Sequence, residues 1–144
     1  MIRKSTAVWH GNGMQGSGAL TMQSGAFQDQ PYSFKTRFQS EDGKAGTNPE
    51  ELLGAAHAGC YAMALSFALT EAKHPPEELR VTASVDLSKG DDGFVIQSIA
   101  LDLEGRVPGL DADTFRTLAE KAKVGCPISK ALAATPITLS AKLL

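Results

Sequence analysis

Apolar and polar positions alternate with a period of two over residues 6–10 and 17–23, on either side of the Gly-rich stretch GNGMQGSG, which predicts two short strands joined by a turn. The tract YSFKTRFQ alternates in the same way and predicts a third strand, with Phe34, Thr36 and Phe38 on one face and Lys35, Arg37 and Gln39 on the other. SEDGKAGT then reads as a loop, broken by Gly43 and Gly46.

The pattern changes to three- and four-residue steps at Asn48. Asn48 is a good N-cap, Pro49 suits the first helical position, and Glu51 stands where it can close a capping box. The helix is expected to run to about Ala72, with Leu52, Leu53, Ala56, Cys60, Met63, Ala64 and Phe67 as its apolar stripe. Gly54, Ala55, Ala58 and Gly59 keep its other faces slim, and a helix that is small or apolar nearly all round is usually buried.

HPPEE stops this helix, because two prolines cannot continue it. LRVTASVDLSK and FVIQSIALDLEGRV then alternate as a hairpin across GDDG. A second helix is expected from Asp111 or Asp113, with Phe115, Leu118, Ala119 and Ala122 facing inward and Gly125 ending it. CPISKAL predicts a short helix with Cys126 near its cap and Pro127 at its first position, and TPITLSAKLL predicts a last strand. Strands, helix, hairpin, helix and strand make an α+β arrangement, with no βαβ repeat to imply a parallel sheet. No repeat, low-complexity tract or linker divides residues 1–144, so one domain is expected. So small a sheet covers a long apolar helix poorly alone, which makes an oligomer the natural way to supply the missing surface.

Composition narrows the partners. Hydrophobic residues at 42% and charged residues at 21% describe an ordinary globular chain, and a net charge of -2 offers no footprint for nucleic acid or anionic lipid. The N-terminus has no apolar run of signal-peptide length, and no segment is expected to reach the roughly 18 apolar residues of a membrane span, so a cytoplasmic protein is expected. In a reducing compartment its two cysteines, Cys60 and Cys126, are expected to be free, catalytic or redox-active and not a structural bridge. No CxxC or HxxxH spacing occurs, so neither a metal nor another cofactor is expected.

Cys60 fits two readings: a small hydrophobe between Ala56 and Met63, or a nucleophilic thiol. A thiol of pKa about 8.5 is only about 3% ionised at pH 7, so the second reading needs an activating group. The dipole of its own helix fades within the first turn and cannot serve. One guanidinium at about 4 Å supplies roughly the 3.4 kcal/mol that a shift of about 2.5 units takes. Arg37, Arg80, Arg3, Arg106, Arg116 and the lysines are candidates, and spacing does not choose among them. Cys126, at a helix start, has the better local case for ionisation, and its alternative is a plain turn residue after Gly125. His57 precedes Cys60 by three, so HAGC also reads as a Cys-His nucleophile and base, or else as a packed histidine bonded to backbone. Glu50 suits the first helical turn on its own, and its functional reading is to anchor an arginine.

Three segments together, TNPEELLGAAHAGCYAMAL, AKVGCPISKAL and QPYSFKTRF, resemble the OsmC/Ohr family over nearly the whole chain, and the AHAGC segment with the upstream block resembles the OsmC (osmotically inducible protein C) branch. The resemblance implies an intertwined homodimer with two long central helices back to back between sheets, and active sites at the subunit interface. It also implies a thiol peroxidase that prefers organic hydroperoxides over hydrogen peroxide, acts in oxidative and osmotic stress defence, and is reduced by a dithiol of the lipoyl type. Carried over by position, Cys60 is the peroxidatic thiolate and Cys126 the resolving thiol, joined as a disulfide after a Cys60 sulfenic acid has formed. Arg37 is the cation that stabilises the thiolate, and Glu50 holds that arginine. Leu53, Met63 and Phe38 are candidate pocket residues, and Gly59 stands where an alanine is common. Two other functions fit the residues: a Cys-His acyl-transfer or hydrolytic enzyme using His57 and Cys60, and a non-catalytic dimeric stress protein.

Overall fold

The computed structural model of the chain describes residues 1–91 and 93–144; Asp92, in the predicted GDDG turn, lies outside the described residues. Contacts divide the chain into two units, Met1–Leu52 and Leu53–Leu144, with the boundary inside one long helix.

The first unit is an antiparallel sheet of β1 (Ser5–His10), β2 (Ser17–Met22) and β3 (Gln30–Ser33), in that order. The Asn12 side chain accepts the N–H groups of Met14 and Gln15 at 3.0 and 2.8 Å and shapes the turn between β1 and β2. Gly18 lies opposite both Trp9 and Tyr32 in the register, and a Cβ there would overlap the Tyr32 ring. The bare glycine lets the two aromatic rings meet across it, with centroids 5.4 Å apart.

Of the predicted third strand, YSFKTRFQ, only Tyr32 and Ser33 are strand. Strand β3 stops at Ser33, and the following residues form a short helix, α1 (Phe34–Phe38). Ser33 and Thr36 cap each other, each hydroxyl accepting the other's backbone N–H at 3.0 to 3.2 Å. Residues 34 and 38 share a face under a period of two and also under helical i,i+4 spacing, and the helix sets their rings 4.8 Å apart.

Helix α2 (Pro49–Glu71) starts as its sequence signal predicts, with Asn48 Oδ1 accepting the Glu51 N–H at 2.8 Å, while the Glu51 carboxylate accepts the Thr47 hydroxyl. Its buried stripe, however, is Gly54, His57, Tyr61, Leu65 and Leu69; of the expected stripe Cys60 and Ala64 flank this face and pack against the core, while Ala56, Met63 and Phe67 are exposed. Met63 and Phe67 are 64% and 68% exposed. Gly54 brings the helix close to the Ala83 carbonyl, and Tyr61 reaches across the core to donate its hydroxyl to the Ala119 carbonyl at 3.2 Å. By length and apolar composition α2 qualifies as a membrane span, contrary to expectation, but one stripe of it forms the core of the second unit.

In that unit β4 (Glu78–Gly90) and β5 (Gly93–Arg106) pair as the predicted antiparallel hairpin, with a bulge between Asp86 and Leu87. Strand β6 (Ile137–Leu143) lies parallel to β5, with Ile99 opposite Ile137, so the chain does contain a crossover that the sequence reading left out. The crossover consists of α3 (Ala112–Gly125) and α4 (Pro127–Ala131). Asp111 caps α3 by accepting the N–H groups of Asp113 and Thr114, and Phe115, Ala119 and Ala122 face inward as predicted. They join Leu101 and Leu103 of β5 and Tyr61, Leu65 and Leu69 of α2 in one core.

Phe115 is fully buried, and its ring fills the space where Gly105 has no Cβ. Gly105→Ala is therefore expected to lower stability by about 1–3 kcal/mol, read as a lower urea midpoint. Gly59, with nothing near the position of a Cβ, should behave oppositely. Gly59→Ala is expected to raise stability by about 1 kcal/mol through helix propensity alone.

Candidate active site

Cys60 lies midway along α2, partly buried, and Cys126 is fully buried between α3 and α4. Both are free thiols, and their sulfurs share a hydrogen bond across 3.1 Å. A disulfide needs about 2.05 Å, so roughly 1 Å of side-chain movement separates the reduced pair from a bond.

The two sulfurs differ in electrostatics. Burial, and then the hydrogen bond with Cys126, hold the Cys60 thiol above its ordinary value. Burial pushes Cys126 upward too, but the Ser129 backbone N–H, the Cys60 thiol and the Ser129 hydroxyl outweigh it and leave Cys126 lowered. Cys126 makes no formal cap hydrogen bond to α4, yet the open N–H groups at the helix start favour its thiolate. The directions of the two shifts favour Cys126 as the more acidic thiol, the same side that the local helix-start argument takes.

His57 is fully buried, and burial lowers its pKa, which favours the neutral ring. Its Nε2 lies 2.8 Å from Ser129 Oγ, and its Nδ1 has no hydrogen-bond partner among the described residues. Neither ring nitrogen is bonded to Cys60, so the Cys-His pair of the alternative reading is not formed. Nor is the histidine bonded to backbone, as its bland reading had it. Ser129, which sequence reasoning passed over, is the residue it holds. The available signal was a matched spacing: Cys126 and Ser129 stand three apart at α4, as His57 and Cys60 do on α2.

The first unit brings together Arg37, on α1, and Glu50, in the first turn of α2. The carboxylate accepts Nε at 3.1 Å and a terminal nitrogen at 2.6 Å, a two-point grip that fixes the plane of the guanidinium. The same guanidinium lies 4.9 Å from the centroid of the Phe38 ring. Beside it is a cavity of about 270 Å³ lined by Trp9, Tyr32, Phe34, Arg37, Phe38 and Pro49, among others. Of the suggested pocket residues, Phe38 lines this cavity, whereas Met63 is exposed on α2. Two other candidate cations are engaged elsewhere on the surface, Arg80 with Glu78 and Arg116 with Asp113.

Residues 41–142 match the family described as OsmC-like protein. Peroxiredoxin OsmC of Escherichia coli (strain K12) is 50% identical over 141 residues, covering 98% of this chain and 96% of that protein. The organic hydroperoxide resistance protein of Xanthomonas axonopodis pv. citri (strain 306) is 36% identical over 90 residues, 62% of this chain and 61% of its own length. An organic hydroperoxide resistance protein OsmC from Legionella pneumophila has the same fold, with a TM-score of 0.72 at 24% identity over 96% of each chain. With a family match over residues 41–142 and half of its residues shared with an OsmC protein across nearly its whole length, this chain belongs to the OsmC-like protein family.

Proposed function

We propose that the protein is a cysteine peroxidase that reduces organic hydroperoxides to alcohols in stress defence. The observation that carries the reading is the approach of the Cys60 and Cys126 sulfurs to 3.1 Å with one of them fully buried. The Cys60 thiolate attacks the distal peroxide oxygen, the O–O bond breaks, and the alcohol leaves with a proton. The hydroxyl stays on Cys60 as a sulfenic acid. Cys126 sulfur then attacks the Cys60 sulfur, the S–O bond breaks, and water leaves as the disulfide closes. A dithiol, of the lipoyl type, returns both thiols.

This sequence of steps needs Cys60 ionised, and its own surroundings raise its pKa. The cation must come from elsewhere, and we assign it to Arg37. Its grip by Glu50 supports the assignment, because a guanidinium fixed in orientation loses little freedom when it stabilises an anion. The aromatic cavity beside Arg37 supports a bulky organic substrate over hydrogen peroxide. We read residues 1–144 as one functional domain that works as a homodimer, intertwined as in the family resemblance, in the cytoplasm and without nucleic acid, membrane or cofactor. The exposed Met63 and Phe67 on α2 support the dimer, since large apolar side chains on one helix face mark a surface that a partner covers.

One equivalent of an alkyl hydroperoxide added to the reduced protein should yield a Cys60–Cys126 disulfide in peptide maps. If both thiols stay free while peroxide persists, the peroxidase reading falls and the non-catalytic one gains. Cys60→Ser should abolish turnover. Cys126→Ser should still consume one equivalent of peroxide and leave a sulfenic acid that dimedone traps. Replacing the cation tests the activation step separately. Arg37→Met is expected to slow peroxide reduction about 10- to 100-fold at pH 7, the loss of about 1.4 to 2.7 kcal/mol, and to raise the pH at which Cys60 is alkylated. An unchanged alkylation profile would remove Arg37 from the mechanism.

A further inference from the structure

Two helices face each other through matched pairs. On α2, His57 and Cys60 stand one turn apart, and Cys126 and Ser129 do the same at the start of α4. The pairs meet group to group: thiol to thiol at 3.1 Å, and imidazole Nε2 to hydroxyl at 2.8 Å. The peroxidase chemistry uses the thiol pair and leaves the imidazole–hydroxyl pair without a role. That pair is costly to hold, because His57 is fully buried and one of its ring nitrogens has no partner among the described residues.

The orphaned nitrogen indicates the direction of the hydrogen bonds. A buried N–H without an acceptor is rarer in proteins than an under-used acceptor, so the bare position is Nδ1 and the hydrogen is on Nε2. Nε2–H then donates to Ser129 Oγ, and this occupies a lone pair of the hydroxyl. The Ser129 hydrogen is left to point to an acceptor of its own. Cys126, the N-cap residue just before α4, lies one turn back from Ser129, and the Ser129 hydroxyl is among the groups that favour its thiolate.

We propose that His57, acting through Ser129, is a positioning residue for the resolving step: it fixes the Ser129 hydroxyl as a donor to Cys126 sulfur and so prepares that sulfur to attack the sulfenic acid of Cys60. The inference rests on the peroxidase reading above. In the step concerned, Cys126 thiolate forms the S–S bond as the S–O bond of the Cys60 sulfenic acid breaks. The departing hydroxide takes up the proton that Cys126 released and leaves as water. The Ser129 hydroxyl and the His57 Nε2–H donate throughout and keep their protons. The first chemical step, peroxide cleavage by Cys60, does not involve them. The pair therefore acts on one half of the cycle.

Single-turnover kinetics on the full reduced chain separate the halves. Sulfenic acid formation is followed as loss of one equivalent of cumene hydroperoxide, and disulfide closure as the disappearance of dimedone-trappable Cys60. Ser129→Ala and His57→Leu are expected to slow closure 10- to 100-fold while peroxide loss stays within about twofold. His57→Gln, which keeps an N–H donor near the Nε2 position, should restore most of the closure rate. Ser129→Ala creates little empty space and keeps the test valid if His57→Leu does not fold. Closure at the native rate in Ser129→Ala overturns the inference and leaves the peroxidase reading standing. An equal slowing of both halves, with no rescue by His57→Gln, also overturns it, because that is the signature of packing alone. No peroxide loss in the native chain takes down both.

Discussion

The thiol site depends on the burial of one stripe of α2. Tyr61, Leu65 and Leu69 are fully covered by β5 and α3 residues, and each such side chain stabilises the fold by roughly 1.5–3 kcal/mol. Because Cys60 is one residue from Tyr61, that seating sets both its depth and the direction of its sulfur. His57 is carried into the core by the same rotation. Had the helix buried Met63 and Phe67, Cys60 would face another way and Cys126 would have no partner.

The price of that seating is electrostatic. The burial that seats the two thiols also opposes their ionisation, and in the second unit the balance favours Cys126, which stands at a helix start. The family assignment of roles runs the other way. The two agree if the cation for Cys60 is supplied separately from the pocket that shelters it, and a guanidinium locked by a carboxylate is suited to this. Glu50 grips that guanidinium through two hydrogen bonds, as the role proposed for Arg37 calls for.

Local signals were legible in the sequence and long-range ones were not. Asn48 and Pro49 announce α2, and Asp111 announces α3, because a cap acts within one turn. The alternation of β4 and β5 was equally plain. Phe34 to Phe38 misled because a stretch of five residues satisfies both periods, and only the Ser33–Thr36 cap decides. The face of α2 was misread because a helix that is small or apolar nearly all round has no preferred side. Gly54 and the Tyr61 hydroxyl, which needs the Ala119 carbonyl, choose it through contacts far along the chain. The parallel pairing of β6 is a matter of topology, with no local mark. The pairing of Cys60 with Cys126, and of Arg37 with Glu50, came from the family resemblance, and Ser129 escaped notice because its partner is 72 residues away.

Cys126 belongs to neither of the helices it joins. Its N–H bonds back to Ala122 at the end of α3, and its carbonyl accepts the N–H of Lys130 in α4, so the backbone is tied on both sides while the sulfur stands at the joint. A side chain at such a joint can turn without unwinding a helix. A change of rotamer, without refolding, would then be enough to bring this sulfur onto that of Cys60.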